Sequence, residues 1–302
     1  MSELSWNRYG KSRIRLVKVR RPAPDDRGGR HEVADLTVDV QLEGAFAPVY
    51  IDGDNQGCLA TDTMKNTVYA FARHDPLDKV EPFVIRLAAH FAAKPLVEGV
   101  RISVAEHRWE PIPVGGQPHP HAFAQPGGEQ WITVVTHDAS GSRIASGLTN
   151  LVVLKTADSA FAGFPRDQLT TLPETGDRVL ATSITASWTY GFDAVPAETA
   201  EQSFLGAPAV TGGYDFSSAR ERIRRALLET FAAHDSRSVQ HTLYAMGDAA
   251  LAACADILDV TLTLPNRHHL LVDLAPFGLD NPNMVFVPTD QPFGLIEATI
   301  RR

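Results

Sequence analysis

The chain has 302 residues, 44% of them hydrophobic and 21% charged, with a formal net charge of −8. That is an ordinary globular composition with room for about two domains, taking ~150 residues as a typical size. The acidic balance excludes the basic footprint of a nucleic-acid binder, and no run approaches the ~18 apolar residues of a membrane span.

Residues 11–20 alternate as a strand, with Ile14, Leu16 and Lys18 on one face and Val17 and Val19 on the other. The basic cluster Lys18-Val19-Arg20-Arg21 ends that run and reads as a solvated strand end. A Pro/Asp/Gly-rich turn from Pro22 to Gly29 leads to a second strand, Glu32 to Leu42. From Thr61 the spacing turns helical, through Val68, Phe71 and Ala72, then Phe83, Val84, Leu87, Ala88 and Phe91. Strands return at Val100–Trp109 and Gln130–His137, with a Pro/Gly/His loop at 111–128 between them.

The second half repeats this order. Strands at Gly147–Lys155 and Arg178–Trp188 come first, and a helix follows from about Ser218, where Ser218 and Glu221 have capping-box spacing. Its buried face takes Ile223, Leu227 and Phe231; a second helix takes Val239, Leu243, Met246 and Ala250. Strands at Val260–Leu264, His268–Leu274 and Met284–Arg301 close the chain. Hairpins flanking two helices, twice over, predict an α+β fold of two tandem domains, at 8–140 and 141–302. Each is a mainly antiparallel sheet with paired helices on one face. The uncovered face of each sheet is left for a ring or barrel of partner subunits.

Cys58 and Cys254 are too few for a disulfide framework or a cysteine-based metal site. The opening MSELSWNRYGK lacks the apolar core of a signal peptide, and Thr299-Ile300-Arg301-Arg302 is not a peroxisomal address. A cytoplasmic protein is the expectation.

The stretch from Leu151 to Arg178 is the richest in chemistry. An apolar strand, Leu151 to Leu154, ends at Lys155 and Thr156; Phe161 and Phe164 follow around a Gly-Phe-Pro turn, and Arg178 opens the next strand. A planar apolar ring held near a planar five-donor fork can grip a flat, electron-rich anion. The order Leu154, Lys155, Thr156, Ser159, Phe161, Phe164, Leu172 and Arg178 resembles the signature of the urate oxidase (uricase) family. Ala157 stands where threonine is usual and Leu169 where an aromatic is usual. Further islands fit the family in order: Tyr9-Gly10-Lys11, the segment Ala60 to Tyr69, and Ser238-Val239-Gln240. Leu264 to His268, Asn281-Pro282-Asn283 and Gly294 to Thr299 complete the set.

The resemblance, to a uricase of the bacterial type, implies two tandem T-fold (tunnelling-fold) domains, a hollow homotetramer, and active sites at subunit interfaces. It implies oxidation of urate by dioxygen and water to 5-hydroxyisourate and hydrogen peroxide, with no cofactor. Arg178 and Gln240 would grip the edge of urate, Phe161 would stack on its face, and Val239 and Asp62 would contribute backbone contacts. Lys11, Thr61 and His268 would form a proton relay, in which a partly desolvated lysine takes the proton of a threonine hydroxyl. Asn266 with Thr61 would hold dioxygen and then water over the ring.

Taken singly, these residues have plainer uses: a core aromatic at Phe161, a surface strand residue at Arg178, a helix cap at Thr61-Asp62, a turn at Asn266. Their joint order is what points to the family. His119-Pro120-His121 could set two imidazoles on one strand face, with His107, His268 and His269 elsewhere. Zinc takes three or four ligands, and a third would have to come from another segment, so no metal site is expected. The alternatives are a zinc-dependent purine or pterin enzyme of the same fold and a non-catalytic purine binder.

Overall fold

The computed structural model describes residues 2–23, 26, 29–192 and 213–302. The chain divides into two compact units, Met1–Gly147 with Thr189–Ser218, and Leu148–Trp188 with Ala219–Arg302.

The first unit contains β1 (Tyr9–Arg20), β2 (Glu32–Gly44), α1 (Ala47–Ile51), α2 (Thr61–His74), α3 (Val80–Ala92) and β3 (Val97–His107). It continues with β4 (Glu110–Val114), β5 (Gln117–Ala124), β6 (Gln130–Asp138) and the start of β7 (Gly141–Lys155). Its main sheet runs β1-β2-β3-β6-β7, and the β1–β2, β2–β3 and β3–β6 pairs are antiparallel. Alternation sets the faces. Leu36, Val38, Val40 and Leu42 of β2 are buried, as are Val100, Ile102 and Val104 of β3. α3 lies on β3 and β6 and buries Phe83, Val84, Leu87, Ala88 and Phe91, while α2 lies on β1. On the other parity the sheet is polar. Arg15 donates to Thr37 Oγ1 at 2.8 Å, and His107 joins Thr37 at 2.8 Å and Gln130 at 2.7 Å.

The second unit holds the rest of β7, most of β8 (Leu180–Tyr190), nearly all of α4 (Phe216–Ala233), α5 (Val239–Ala253), β9 (Ile257–Leu271) and β10 (Phe286–Arg301). Its strands run β7-β8-β9-β10, with β9 and β10 antiparallel. α4 buries Ala219, Ile223, Leu227 and Phe231; α5 buries Val239, Leu243, Met246 and Ala250 and packs on β9 and β10. A Cβ at Gly247 would lie 2.5 Å from Ile300 Cδ1, so this glycine sets how closely α5 approaches β10. Among the described residues, no helix is long and apolar enough to cross a membrane.

Four local expectations are corrected. The stretch 111–128 is not only a loop: β4 and β5 form a hairpin closed by Gly115 (φ 60°) and Gly116 (φ 78°). Two left-handed glycines suit a two-residue hairpin turn, and the four prolines of these strands, which cannot donate, had hidden the signal. Lys18 is not a solvated strand end. Its Nζ donates to the carbonyls of Ala72 (2.8 Å) and Asp75, and Arg20 donates to those of Pro76 and Leu77. The last carbonyls of α2 lack intrahelical donors and take cations instead. α4 starts at Phe216 rather than Ser218, with the Asp215 carboxylate accepting from Ser218 N at 3.2 Å. β9 runs unbroken through Pro265, which sits opposite Leu295 beside a register break where the ladder is already interrupted.

His90 of α3 packs edge-on against Phe71 and Phe91, with centroids 5.0 and 5.4 Å away. Burial, helped by the charge of Lys94, pushes its imidazole from 6.5 down to about 4. Between those values the unfolded chain holds more protons than the folded one, so stability falls as pH falls through that window. His90→Gln is therefore expected to flatten the dependence of melting temperature on pH between 6.5 and about 4, followed by calorimetry. An unchanged slope would show that His90 is not its source.

Candidate active site

The predicted site residues fall into two groups, one in each unit. In the first unit, Lys11 lies on β1 opposite Val40, at the edge of a register break that ends at Ile14. A bulge re-aims the side chains beside it. Arg13 adopts φ 57° there, and its N–H is held by Asp39 Oδ1 at 2.7 Å. Gly10 is required for the approach, because a Cβ would run into the Val40 carbonyl oxygen. Thr61 is the first residue of α2, after Ala60 at the cap. Burial, with the Cys58 thiol next to it, pushes the Tyr9 phenol up to about 12.

Asp62 spends its carboxylate within its own helix, accepting from Lys65 and from Asn66 Nδ2 at 2.9 Å. Those bonds, the Lys65 one first, hold its carboxyl below the usual range, and the charge of Lys11 adds to them. Lys11 and the first turn of α2 are thus electrostatic neighbours.

In the second unit, Phe161 exchanges two backbone hydrogen bonds with Thr175, at 2.9 and 3.0 Å. Its ring stacks on Phe164 at 4.9 Å with planes 14° apart. The Arg178 guanidinium carbon lies 5.3 Å from the centroid of Phe161. Arg178 Nε is buried with no partner, and burial pushes the pKa of this guanidinium down. A buried donor without an acceptor is costly and is a natural place for an anionic ligand. Immediately before Phe161, Ala160 N donates to Ser236 O at 2.7 Å. Ser236 leads into Ser238, which caps α5 by accepting from His241 N at 3.1 Å. Val239 and Gln240 therefore open α5 on a segment tied directly to the Phe161 loop. Ser236 is fully buried at the centre of this knot, yet nothing in its sequence context singled it out beyond the Ser-x-Ser spacing before a helix.

Asn266 and His268 belong to β9, where pairing with β10 breaks between Thr289 and Gly294. Asn266 pairs with Gly294 and His268 with Thr289, so both flank the bulge. His268 also lines a cavity of about 170 Å3 with Arg267, His269, Thr289 and apolar residues of β7. The His119 and His121 rings lie 4.5 Å apart, with His31 5.9 Å from His121. Among the described residues, no three His, Cys, Asp or Glu side chains are gathered as metal ligands.

The sequence matches the profile of the uricase family over residues 7–136 and 144–297. It is 42% identical to a uricase of Arthrobacter globiformis over 99% of this chain and 90% of that one. The chain belongs to the uricase family. A uricase of Arabidopsis thaliana is 37% identical, over 98% of this chain and 94% of its own length. The crystal structure of the Arthrobacter globiformis uricase superposes with a TM-score of 0.87, covering 100% of this chain and 96% of that one. The fold is accordingly the uricase one, α+β with tandem T-fold domains and antiparallel sheets carrying helix pairs on one face. Within this uricase fold, the bulge at Lys11 and the bulge between β9 and β10 are equivalent devices. Each interrupts a hairpin ladder beside residues of the predicted relay.

Proposed function

We propose that this chain is a cofactor-free urate oxidase that converts urate, dioxygen and water to 5-hydroxyisourate and hydrogen peroxide. It acts as a cytoplasmic homotetramer, with two T-fold domains at 8–140 and 141–302. Membership of the uricase family supports the reaction. The observation that carries the site is Arg178, a half-buried guanidinium above Phe161 with an unpartnered Nε.

Dioxygen is a triplet, and most oxidases pass electrons to it through a flavin or metal. A deprotonated purine is electron-rich enough to supply them itself, which leaves the protein to bind, deprotonate and position. Arg178 offers two parallel charge-assisted bonds in the plane of urate, and Gln240 donates and accepts beside it. Phe161 covers one face. Lys11, Thr61 and His268 move the proton, while Asn266 and Thr61 hold dioxygen and then water over the ring. Val239 and Asp62 contribute main-chain contacts, in keeping with the internal use of the Asp62 carboxylate. The net charge of −8 repels an anionic substrate, so attraction is local to these donors. Sites between subunits pair the Lys11 and Thr61 segments of one chain with Phe161, Arg178 and Gln240 of a neighbour.

The test is to strip the purified protein with a chelator and follow loss of urate absorbance together with peroxide. Full activity without added metal is the expected result. Activity restored only by a metal would move the chain to a zinc-dependent T-fold chemistry, and none under any condition would leave a purine binder.

A further inference from the structure

We propose that His234 and His241 form a proton-sharing clasp that positions Val239 and Gln240, so that acidification loosens the hold on substrate. The identity of that substrate rests on the urate oxidase reading above. His234 follows the last turn of α4, its N–H donating to Thr230 O at 3.0 Å, and His241 lies in the first turn of α5. His234 Nε2 is 3.1 Å from His241 Nδ1, with ring centroids 4.3 Å apart. At that distance one nitrogen carries a proton and the other accepts it. The pair tolerates one charge, but a second proton would face two N–H groups and two cations against each other.

The segment between the two histidines holds the substrate side of the site together. Ser236 N donates to Asp158 O at 2.9 Å, and Ser236 O accepts from Ala160 N at 2.7 Å, one residue before Phe161. Ser236 Oγ accepts from Thr242 at 2.7 Å and donates to Ser238 O at 3.1 Å. Opening the clasp removes the side-chain tie that joins the two ends of this segment, and Gln240 lies inside it. His234 and His241 do not touch the ring stack or the guanidinium, so they are positioning residues.

The surroundings favour the neutral pair. Lys155 of β7 donates to His234 O at 2.7 Å, taking the carbonyl at the end of α4 that would otherwise favour an imidazolium. Asp235 opposes this, but burial, His241 and Lys155 together push the His234 imidazole below its ordinary range. The clasp therefore holds at neutral pH and opens only at acid pH.

The experiment measures KM and kcat for urate between about pH 5 and 8 in the parent, His241→Asn and His241→Leu. An asparagine amide can replace the Nδ1 contact but does not titrate. The parent KM is expected to rise about tenfold at the acid end, the worth of one well-placed hydrogen bond, with a smaller change in kcat. His241→Asn should lack that rise, and His241→Leu should carry a raised KM throughout. Titration of urate itself is common to all three and cancels in the comparison. A His241→Asn profile that follows the parent, or a parent-like KM in His241→Leu, would overturn the proposal. Histidine-ring NMR on the same protein gives an independent readout. Two separated steps, the lower one below the ordinary imidazole range, are expected for the pair; a single ordinary step in both rings would also overturn it. Two steps without urate turnover at any pH would defeat the substrate reading, and with it this role, while leaving the clasp itself demonstrated.

Discussion

Arg178→Gln is expected to lower kcat/KM for urate roughly a thousandfold, a loss of ~4 kcal/mol from removing one partner of a desolvated charge pair. Arg178 Nε is buried without a partner, and the guanidinium is already partly stripped of water above Phe161. In the free protein that arrangement costs stability, since desolvation is unrewarded until an anion arrives. The variant should therefore lose substrate binding without losing folding: its melting temperature should match or exceed that of the parent. Arg178→Lys is the sharper control. It keeps the charge but gives up the planar fork, so it should recover only a small part of the loss. Direct urate binding and thermal melting on the same samples decide the matter. Parent-like binding in Arg178→Gln would remove this residue from the substrate site. A large fall in melting temperature would instead make Arg178 a structural residue.

Much of the architecture was legible because burial here follows simple periods. The alternation of β1 and β2 and the four-residue spacing of Ile223, Leu227 and Phe231 correspond to buried faces in the structure. Legibility failed where a residue type had two opposed meanings. Proline at 111, 113, 118 and 120 read as loop but lies in a two-stranded ribbon whose register shifts between Pro111 and Pro113. Pro265 read as a break but sits in a continuous β9. Lys18 and Arg20 read as solvated cations, although Lys18 is recruited by the open end of α2 and Arg20 by carbonyls of the loop after it. The site shows the same division. Lys11, Thr61, Phe161, Arg178 and Gln240 are expected at the site because their types and order form the pattern of the resemblance. The bond from Ala160 to Ser236 that ties the Phe161 loop to α5 could not be picked out. Serine before a helix is ordinary, and only tertiary folding turns it into a junction between distant segments. The His234–His241 pair was hidden for the same reason, with one ring at the end of a helix and the other at the start of the next.

Lys11→Met is expected to bind urate and yet turn it over at least about a hundredfold more slowly, the usual scale for a lost general acid–base group. Methionine keeps most of the apolar stem and deletes the ammonium, so packing on β1 should survive. The backbone that carries Lys11 is closely specified. Gly10 makes room against Val40, the bulge turns the strand, and Asp39 secures the bulge through Arg13 N. Asp62, one residue from Thr61, is held below the usual carboxylate range first by Lys65, and the charge of Lys11 adds to that effect. In the proposed relay, the Thr61 hydroxyl gains in Lys11 an acceptor for a proton it otherwise holds too tightly. A bland strand lysine would need none of this, because a solvated cation tolerates almost any register. Single-turnover rates at saturating urate, with binding measured separately under nitrogen, distinguish the two roles. Parent-like turnover would sink the relay. Loss of binding along with turnover would move Lys11 from proton transfer to the grip on the anion, leaving Thr61 and His268 to move the proton between them.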